Sequence, residues 1–497
     1  MPFQSSSLTQ LFNGLLRRGA KDNIKKVLDD MIEEAQAWKP SGYDADQRRR
    51  RDYYEGKHSL YLRNALRKRY PGTWSDMSQI SLNLTKMIAD IDSSVYDQEP
   101  SRSLERNGED VPSDSPQGQA FESIYENAAI NVTLAEAERR LMVSNTMFLR
   151  VAWDQMRSHP KIEMFYPSDV HVIPHPNAPT DLSASIAILS RIVSENGVND
   201  KVKKYEVWHR EFEDSNGQTN YGPWRVEHWD TDGKSTEIFP DNLWPLDQLP
   251  WVIWRNGVSD GTIYRDVDRD LLDTIDAIAV GMTNIQFTID MQAHSQLAYE
   301  GDSREDLAGG PGKILTFAPG ENLSVLNYDP KLVEMERSSQ NLIKSLAATR
   351  RQSPDAYSIE REAPQSGVAR KIQNLPYTKA LRERSHFARD MEQDLFRVLI
   401  AFNDSFGTGT KIGSENLTLK WSTAQDPEFE DQNSKTARIA QALDMGLISK
   451  ERAAVDLGYY ATESEAAEAF ASQAEAKQDQ VRNTSIAERL RLIAAGS

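Results

Sequence analysis

The sequence predicts a predominantly helical α+β fold. Two observations carry that reading. Apolar residues recur at three- and four-residue steps through long segments on both sides of the chain's centre, the spacing of a single helix face. Between them, residues 147–256 turn into short β-branched and aromatic runs separated by Gly, Asn, Asp and Pro, the pattern of strands joined by turns. A length of 497 residues is enough for several lobes, and a hydrophobic content of 39% supplies their cores.

Taking the elements in order, residues 8–38 carry Leu11, Leu15, Leu16, Ile24, Val27, Leu28, Met31 and Ile32 at helical spacing, stopped by Pro40 and Gly42. Residues 48–69 are basic: Arg48, Arg49, Arg50, Arg51, Lys57, Arg63, Arg67, Lys68 and Arg69 face only Asp52 and Glu55, for a net +7. This stretch reads either as a patch for nucleic acid or an acidic partner, or as a solvated helix face packed by Tyr53, Tyr54 and Tyr61. A second amphipathic helix spans 81–97, closed by Pro100. A loop is expected at 101–117, and helices at about 118–128 and 133–145. Strands are expected at 148–153, 161–166, 186–193, 205–212, 224–229 and 251–254.

Helical periodicity returns at 265–291. Val267, Leu271, Ile275, Ile278, Met282, Ile285 and Ile289 form a thin stripe about 40 Å long. Asp266, Asp270 and Asp273 line another face, and six Asp against two Arg give the span a net −4. A lone helix with so narrow a stripe needs neighbouring helices to cover it. Residues 292–328 interrupt with a Gly309-Gly310-Pro311-Gly312 turn and two short strands, 314–317 and 323–326, that can pair. A second helix follows at 330–350, then a loop at 351–365. A long helix at 366–403 contains Pro376, which should kink it. After a strand at 417–421 the chain is helical, with Gly446 as a helix stop and Ser449 as a helix cap. Residues 463–496 read as a polar helix or frayed tail.

Composition removes several function classes. The chain has no cysteine, which excludes disulfides, thiolate chemistry and Cys-type zinc sites, and fits a reducing cytoplasm. No run approaches the ~20 apolar residues of a membrane span, and the first residues lack the pattern of a secretion signal, so no membrane association is expected. A net charge of −17 argues against a broad, tight grip on nucleic acid. Gly257-Val258-Ser259-Asp260-Gly261 fits the G-x-S-x-G pattern of a hydrolase nucleophile, with Ser259 as the candidate. However, Arg255 and Asn256 separate it from the preceding strand, and no alternating βα series builds a hydrolase sheet. Asp266, Asp268 and Asp270 resemble the start of a calcium loop, but Leu271 and Ala277 replace its Gly and Glu. Gly309 to Lys313 lacks the spacing of a phosphate loop. Pro174 and Pro176 keep His171 and His175 off a shared helix. No cofactor, metal site or enzymatic centre is expected.

Several segments, in order, resemble the portal proteins of tailed bacteriophages. Arg51-Asp52-Tyr53-Tyr54-Glu55-Gly56-Lys57 is similar to an early tyrosine-tyrosine-x-Gly element of that family. Residues 83–100 resemble its helix ending in an acidic-Pro dipeptide. Asn145 to Asp154 resembles its helix-to-strand passage, with Asn145 where many relatives have Gly. Gln365-Ser366-Gly367-Val368-Ala369 resembles the start of its long helix, and Gly446-Leu447-Ile448-Ser449-Lys450-Glu451 an element near its end.

The resemblance implies a portal-type elongated subunit with wing, stem, clip and crown, assembled as a ring, a dodecamer in virions. The wing would be residues 1–256, including the β-rich lobe, together with 366–431. The stem would be 257–291 and 330–350, the clip 292–329, the tunnel loop 351–365 and the crown 432–497. Such a ring is a non-enzymatic channel for double-stranded DNA at one capsid vertex. It serves assembly initiation, genome packaging, tail attachment and genome ejection. The implied partners are other copies of the chain, the terminase large subunit, a head-tail adaptor, and the major capsid and scaffolding proteins. The implied location is the virion, after assembly in the host cytoplasm. Arg350, Arg351 and Arg361 would flank or lie in the tunnel loop and touch DNA, or pair between subunits. Asp266, Asp270 and Asp273 would give the channel an acidic wall, and Gly309, Gly310, Gly312 and Lys313 would lie where terminase or adaptor docks. The competing readings are a serine hydrolase using Ser259 and another head-tail adaptor ring, a class usually much shorter than this chain.

Overall fold

The computed structural model describes residues 24–192, 204–215, 218–230, 235–266, 268–293, 296–300, 322–326, 331–357, 367–413, 416–423, 432–459, 466–467 and 469–472. The fold is mixed, 49% helical and 19% strand, so helix predominates as expected. The chain divides into two compact units, 1–362 with 376–425, and 363–375 with 426–497.

The first described helix of this unit is α1 (Ile24–Ala37), which lays Leu28, Met31 and Ala35 on Ile173, Leu189 and Val207 of a five-stranded sheet. The basic stretch is two helices, α2 (Tyr43–Tyr54) and α3 (Ser59–Arg69), because the chain turns through Gly56 at φ 78. Helix α4 (Leu84–Asp92) starts where the Asn83 side chain accepts the Lys86 N–H at 3.0 Å. It ends five residues before the expected limit. The amides of Ser94, Val95 and Tyr96 turn instead to the buried carboxylate of Glu138, at 3.0–3.2 Å. A tertiary acceptor has replaced the helical carbonyls.

The expected loop at 101–117 holds β1 (Ser101–Arg106) and β2 (Glu109–Asp110), joined through Asn107 and Gly108 at positive φ. Strand β1 also pairs with β15 (Leu417–Ser422), Ser101 opposite Ser422. That partner lies over 300 positions away, beyond any local pattern. The Asn-Gly pair, however, was a legible hairpin signal. Helices α5 (Pro116–Asn127) and α6 (Ile130–Ser144) follow.

Two antiparallel sheets form the β-rich part. One has the order β12 (Trp251–Arg255), β3 (Thr146–Asp154), β4 (His159–Phe165). The other runs β11 (Ser235–Glu237), β10 (Arg225–Asp230), β7 (Lys204–His209), β6 (Ala187–Ile192), β5 (Val170–Ile173). A small pair, β8 (Phe212–Ser215) and β9 (Gln218–Tyr221), completes the lobe. Strand β5 was not expected; its four residues precede Pro174, and its identity depends on pairing with β6. The main core gathers Leu134, Leu141, Met147, Phe148 and Leu149 with Leu395 and Leu399 of the long helix.

Helix α7 (Asp270–Ala293) starts later than residue 265. Tyr264 and Arg265 are drawn to the β lobe, where Tyr264 Oη donates to Val170 O at 3.0 Å and the Arg265 amide donates to Thr146 Oγ1 at 3.1 Å. Strand β13 (Gln296–Glu300) pairs with β14 (Asn322–Leu326), Gln296 opposite Leu326. The expected partner of β14, 314–317, lies outside the described residues. Helix α8 (Leu332–Thr349) packs along α7, and α9 (Gly367–Phe406) is 40 residues long with Pro376 inside. The second unit contains α10 (Gln432–Asp444), followed by Gly446 at φ 68, and α11 (Lys450–Asp456), capped by Ser449 Oγ accepting the Arg452 N–H at 3.0 Å.

Candidate functional site

The end of α4, the end of α8 and the segment after it meet at one carboxylate. Asp92 is fully buried. Its Oδ1 accepts from Tyr357 Oη at 2.6 Å and Gln352 Nε2 at 2.9 Å, and its Oδ2 accepts from Arg350 Nε. Arg350 Nη2 also donates to Met142 O at 3.0 Å, and Arg384 donates to the Asp92 carbonyl. Burial opposes the Arg350 charge, yet the Asp92 carboxylate outweighs it and holds the guanidinium pKa above its ordinary value. Burial first, then Asp92, push the Tyr357 hydroxyl up as well. Arg350 is thus committed inside the chain, tying the start of the expected tunnel loop to α4 and α6. Arg351 differs: it is more than half exposed, at φ 60, and pairs with Glu383 at 2.8 Å.

Beside this node an open polar cleft of about 210 Å³ is bordered by Arg265, Arg351, Glu383 and Arg384. Gly257, at φ 122, lies under the Arg265 guanidinium, and a Cβ there would stand 1.6 Å from Nη1. The glycine of the G-x-S-x-G match therefore serves backbone geometry and arginine seating. The Ser259 hydroxyl donates to Thr262 O at 2.6 Å and lies 3.1 Å from Tyr264 O. It is engaged by backbone carbonyls rather than by a base.

The basic stretch separates by helix. On α2, Arg49 pairs with Asp276 and, at 3.6 Å, with Asp273 of α7; Arg50 is buried and donates to Val143 O at 2.8 Å; Arg51 pairs with Glu55 and Asp169, each at 2.9 Å. These arginines knit the unit together. On α3, Arg63, Arg67, Lys68 and Arg69 are exposed. The three expected acidic residues Asp266, Asp270 and Asp273 are all exposed, at and before the start of α7, with Asp273 near Arg49. Arg361, Gly309, Gly310, Gly312 and Lys313 lie outside the described residues.

Between α7, α8 and the segment before α4 runs an apolar groove of about 750 Å³. Ile80, Leu82, Met282, Ile285, Ile289, Leu332, Val333 and Ile343 line it. Val333 is 71% exposed. The thin apolar stripe expected on the 265–291 helix is therefore covered on its N-terminal part, by Tyr53, Leu84 and Leu346, and open farther along. Among the described residues no group of His, Asp and Glu gathers as a metal set, and no helix is long and apolar enough to cross a membrane. His171 and His175 are both buried in the β lobe. Lys39 Nζ approaches His171 Nδ1 at 3.4 Å.

No family model matches the chain, and no curated protein matches it. Among solved structures, the chain is similar to one from the neck of an empty gene transfer agent particle, at 11% identity and TM-score 0.35, over 76% of this chain and 88% of that one. It is also similar to one from the virion of a native gene transfer agent particle, at 11% identity and TM-score 0.38, over 85% of this chain and 94% of that one. TM-scores this low do not establish a common fold.

Proposed function

We propose that this chain is the portal subunit of a tailed phage or phage-like particle, a non-enzymatic protein that closes with other copies into a ring around a DNA channel. One observation carries the reading: the α7–α8 pair keeps an apolar groove of about 750 Å³ open in the single chain. An exposed apolar surface of that kind marks an interaction site. The ordered motifs around Tyr53, Asn145, Gly367 and Gly446 that resemble portal proteins give that site its biological setting.

In this reading α7 and α8 form the stem and 292–329 the clip, where terminase and later a head-tail adaptor dock. Asp266, Asp270 and Asp273 face the bore. A wall of carboxylates binds few phosphates, and since each phosphate contact adds to affinity, few contacts let DNA slide. Arg350 anchors the tunnel loop through Asp92, and Arg351 and Arg361 meet the DNA. The ring, twelve copies in the virion, also nucleates capsid and scaffold assembly and releases the genome.

Negative-stain imaging of purified protein tests this directly. Rings with a central hole are expected; a lone globule at every protein and salt concentration overturns the reading. An esterase assay on Ser259→Ala separates the hydrolase alternative, since a portal has no activity to lose.

A further inference from the structure

Helix α3 has two unlike faces. Leu62 and Leu66 are buried against Ala279 and Val280 of α7. On the other side Leu60 is 58% exposed, and Arg63, Asn64 and Arg67 follow it at the steps of one helix face. Lys68 extends this ridge, whereas Arg69 falls on the side of Leu62 and Leu66. The helix carries four cations and no acid, and none of the four has an ion-pair partner among the described residues. In a chain of net charge −17, that is an unanswered positive surface with an apolar knob in it.

The groove offers the complement. It exposes Val333, and Leu82 and Ile289 at 43% each. Of its charged lining residues, Lys344 and Asp355 approach each other at 3.7 Å, whereas Glu336 is exposed with no ion-pair partner among the described residues. The groove also lies on the opposite side of α7 from α3. Val280 and Phe287 face α3; Ile278, Met282, Ile285 and Ile289 face the groove. Val280 and Phe287 are each offset by two positions from groove residues, about 200° around a helix, and Ala279, also against α3, lies about 100° from Ile278.

We infer that the ridge of α3 seats in the α7–α8 groove of a second copy, with Leu60 against Val333 and Arg63 or Arg67 on Glu336; this rests on the ring reading above. Because ridge and groove occupy opposite flanks, each copy that fills one groove presents its own to the next, which is the head-to-tail contact from which rings close. A nucleic acid on the same ridge would use the cations, leave Leu60 in water and leave the groove open.

The chain's lack of cysteine makes the test clean. Leu60→Cys together with Val333→Cys, mildly oxidised at assembling concentrations, should yield a ladder of crosslinked multimers on denaturing gels, while either single variant yields monomer. Arg63→Glu with Arg67→Glu should raise the concentration needed for assembly by about ten-fold or more, as should Glu336→Arg. Combining the reversals should restore it. Rings that assemble without a ladder overturn this contact and leave the ring reading standing. Wild-type protein that never forms rings removes that reading itself. Dimers from Leu60→Cys alone would mean a symmetric contact and overturn the proposal. So would α3 variants that assemble normally but lose retention of duplex DNA.

Discussion

Tyr357 and Asp92 stand 265 positions apart in the chain and 2.6 Å apart in space, hydroxyl to carboxylate. With Arg350 and Gln352 on the same carboxylate, Asp92 fixes where the segment after α8 begins. Asp92→Ala leaves the buried Arg350 charge without its partner, so a loss of about 3–5 kcal/mol in unfolding free energy is expected. Tyr357→Phe removes one hydrogen bond and should cost about 1–2 kcal/mol. Denaturant titration reads both. Equal, small losses would show that the node does not act as one unit.

Glu392 is a second buried acid with a full set of donors. Arg102 Nε reaches it at 2.7 Å, Tyr96 Oη at 2.7 Å and Trp421 Nε1 at 2.8 Å. It joins α9 to β1 and β15. Glu392→Ala should destabilise by about 3–5 kcal/mol, because the Arg102 charge stays buried and unpaired. The double variant Glu392→Met with Arg102→Met should recover part of that loss. A double variant worse than the sum of its singles would contradict this.

His171 sets a pH dependence. Burial first, then the Lys39 and Arg48 charges, push its pKa down from 6.5 to about 3. The unfolded chain therefore binds its proton before the folded chain does, and stability falls as pH drops from about 6.5 towards 3. The site contributes up to about 1.4 kcal/mol per pH unit in that window. His171→Gln should show a shallower fall by that amount. Parallel stability curves for the two proteins would rule the site out as the cause.

Asn145 occupies a backbone position that suits glycine. It ends α6 at φ 58, in the left-handed region, with its amide on Leu141 O at 2.8 Å. Glycine and asparagine both tolerate that conformation. Asn145→Gly should change stability by less than about 1 kcal/mol, whereas Asn145→Ala should cost about 1–2 kcal/mol. Thermal melts decide it; an alanine variant as stable as the glycine variant would show that the backbone imposes no constraint there.

Asp266, Asp270 and Asp273 test the channel reading by charge. Replacing all three by Asn should strengthen non-specific duplex binding and raise the salt concentration at which DNA is released. Unchanged release across a salt series would show that these carboxylates do not face DNA.

Local pattern alone determined much of this protein. Periodicity located α7 and α8 within a few residues, because a helix is a local structure and its buried stripe is written every third or fourth position. Turn chemistry and β-branched runs located β3, β4, β6, β7, β10 and β12. Ser449 and Gly446 marked helix ends by side-chain and backbone chemistry that needs no partner from afar. What tertiary structure decided were the pairings between distant segments. Strand β1 exists because β15 is beside it, α4 stops where the Glu138 carboxylate takes its amides, and α7 begins late because Tyr264 belongs to the β lobe. The same holds for charge. Composition left the basic run of 48–69 open between a binding patch and a solvated helix face, and only packing could sort Arg49, Arg50 and Arg51 onto internal acceptors and leave Arg63, Arg67, Lys68 and Arg69 facing outward, since a charge's role depends on which opposite charge or carbonyl the fold brings within reach.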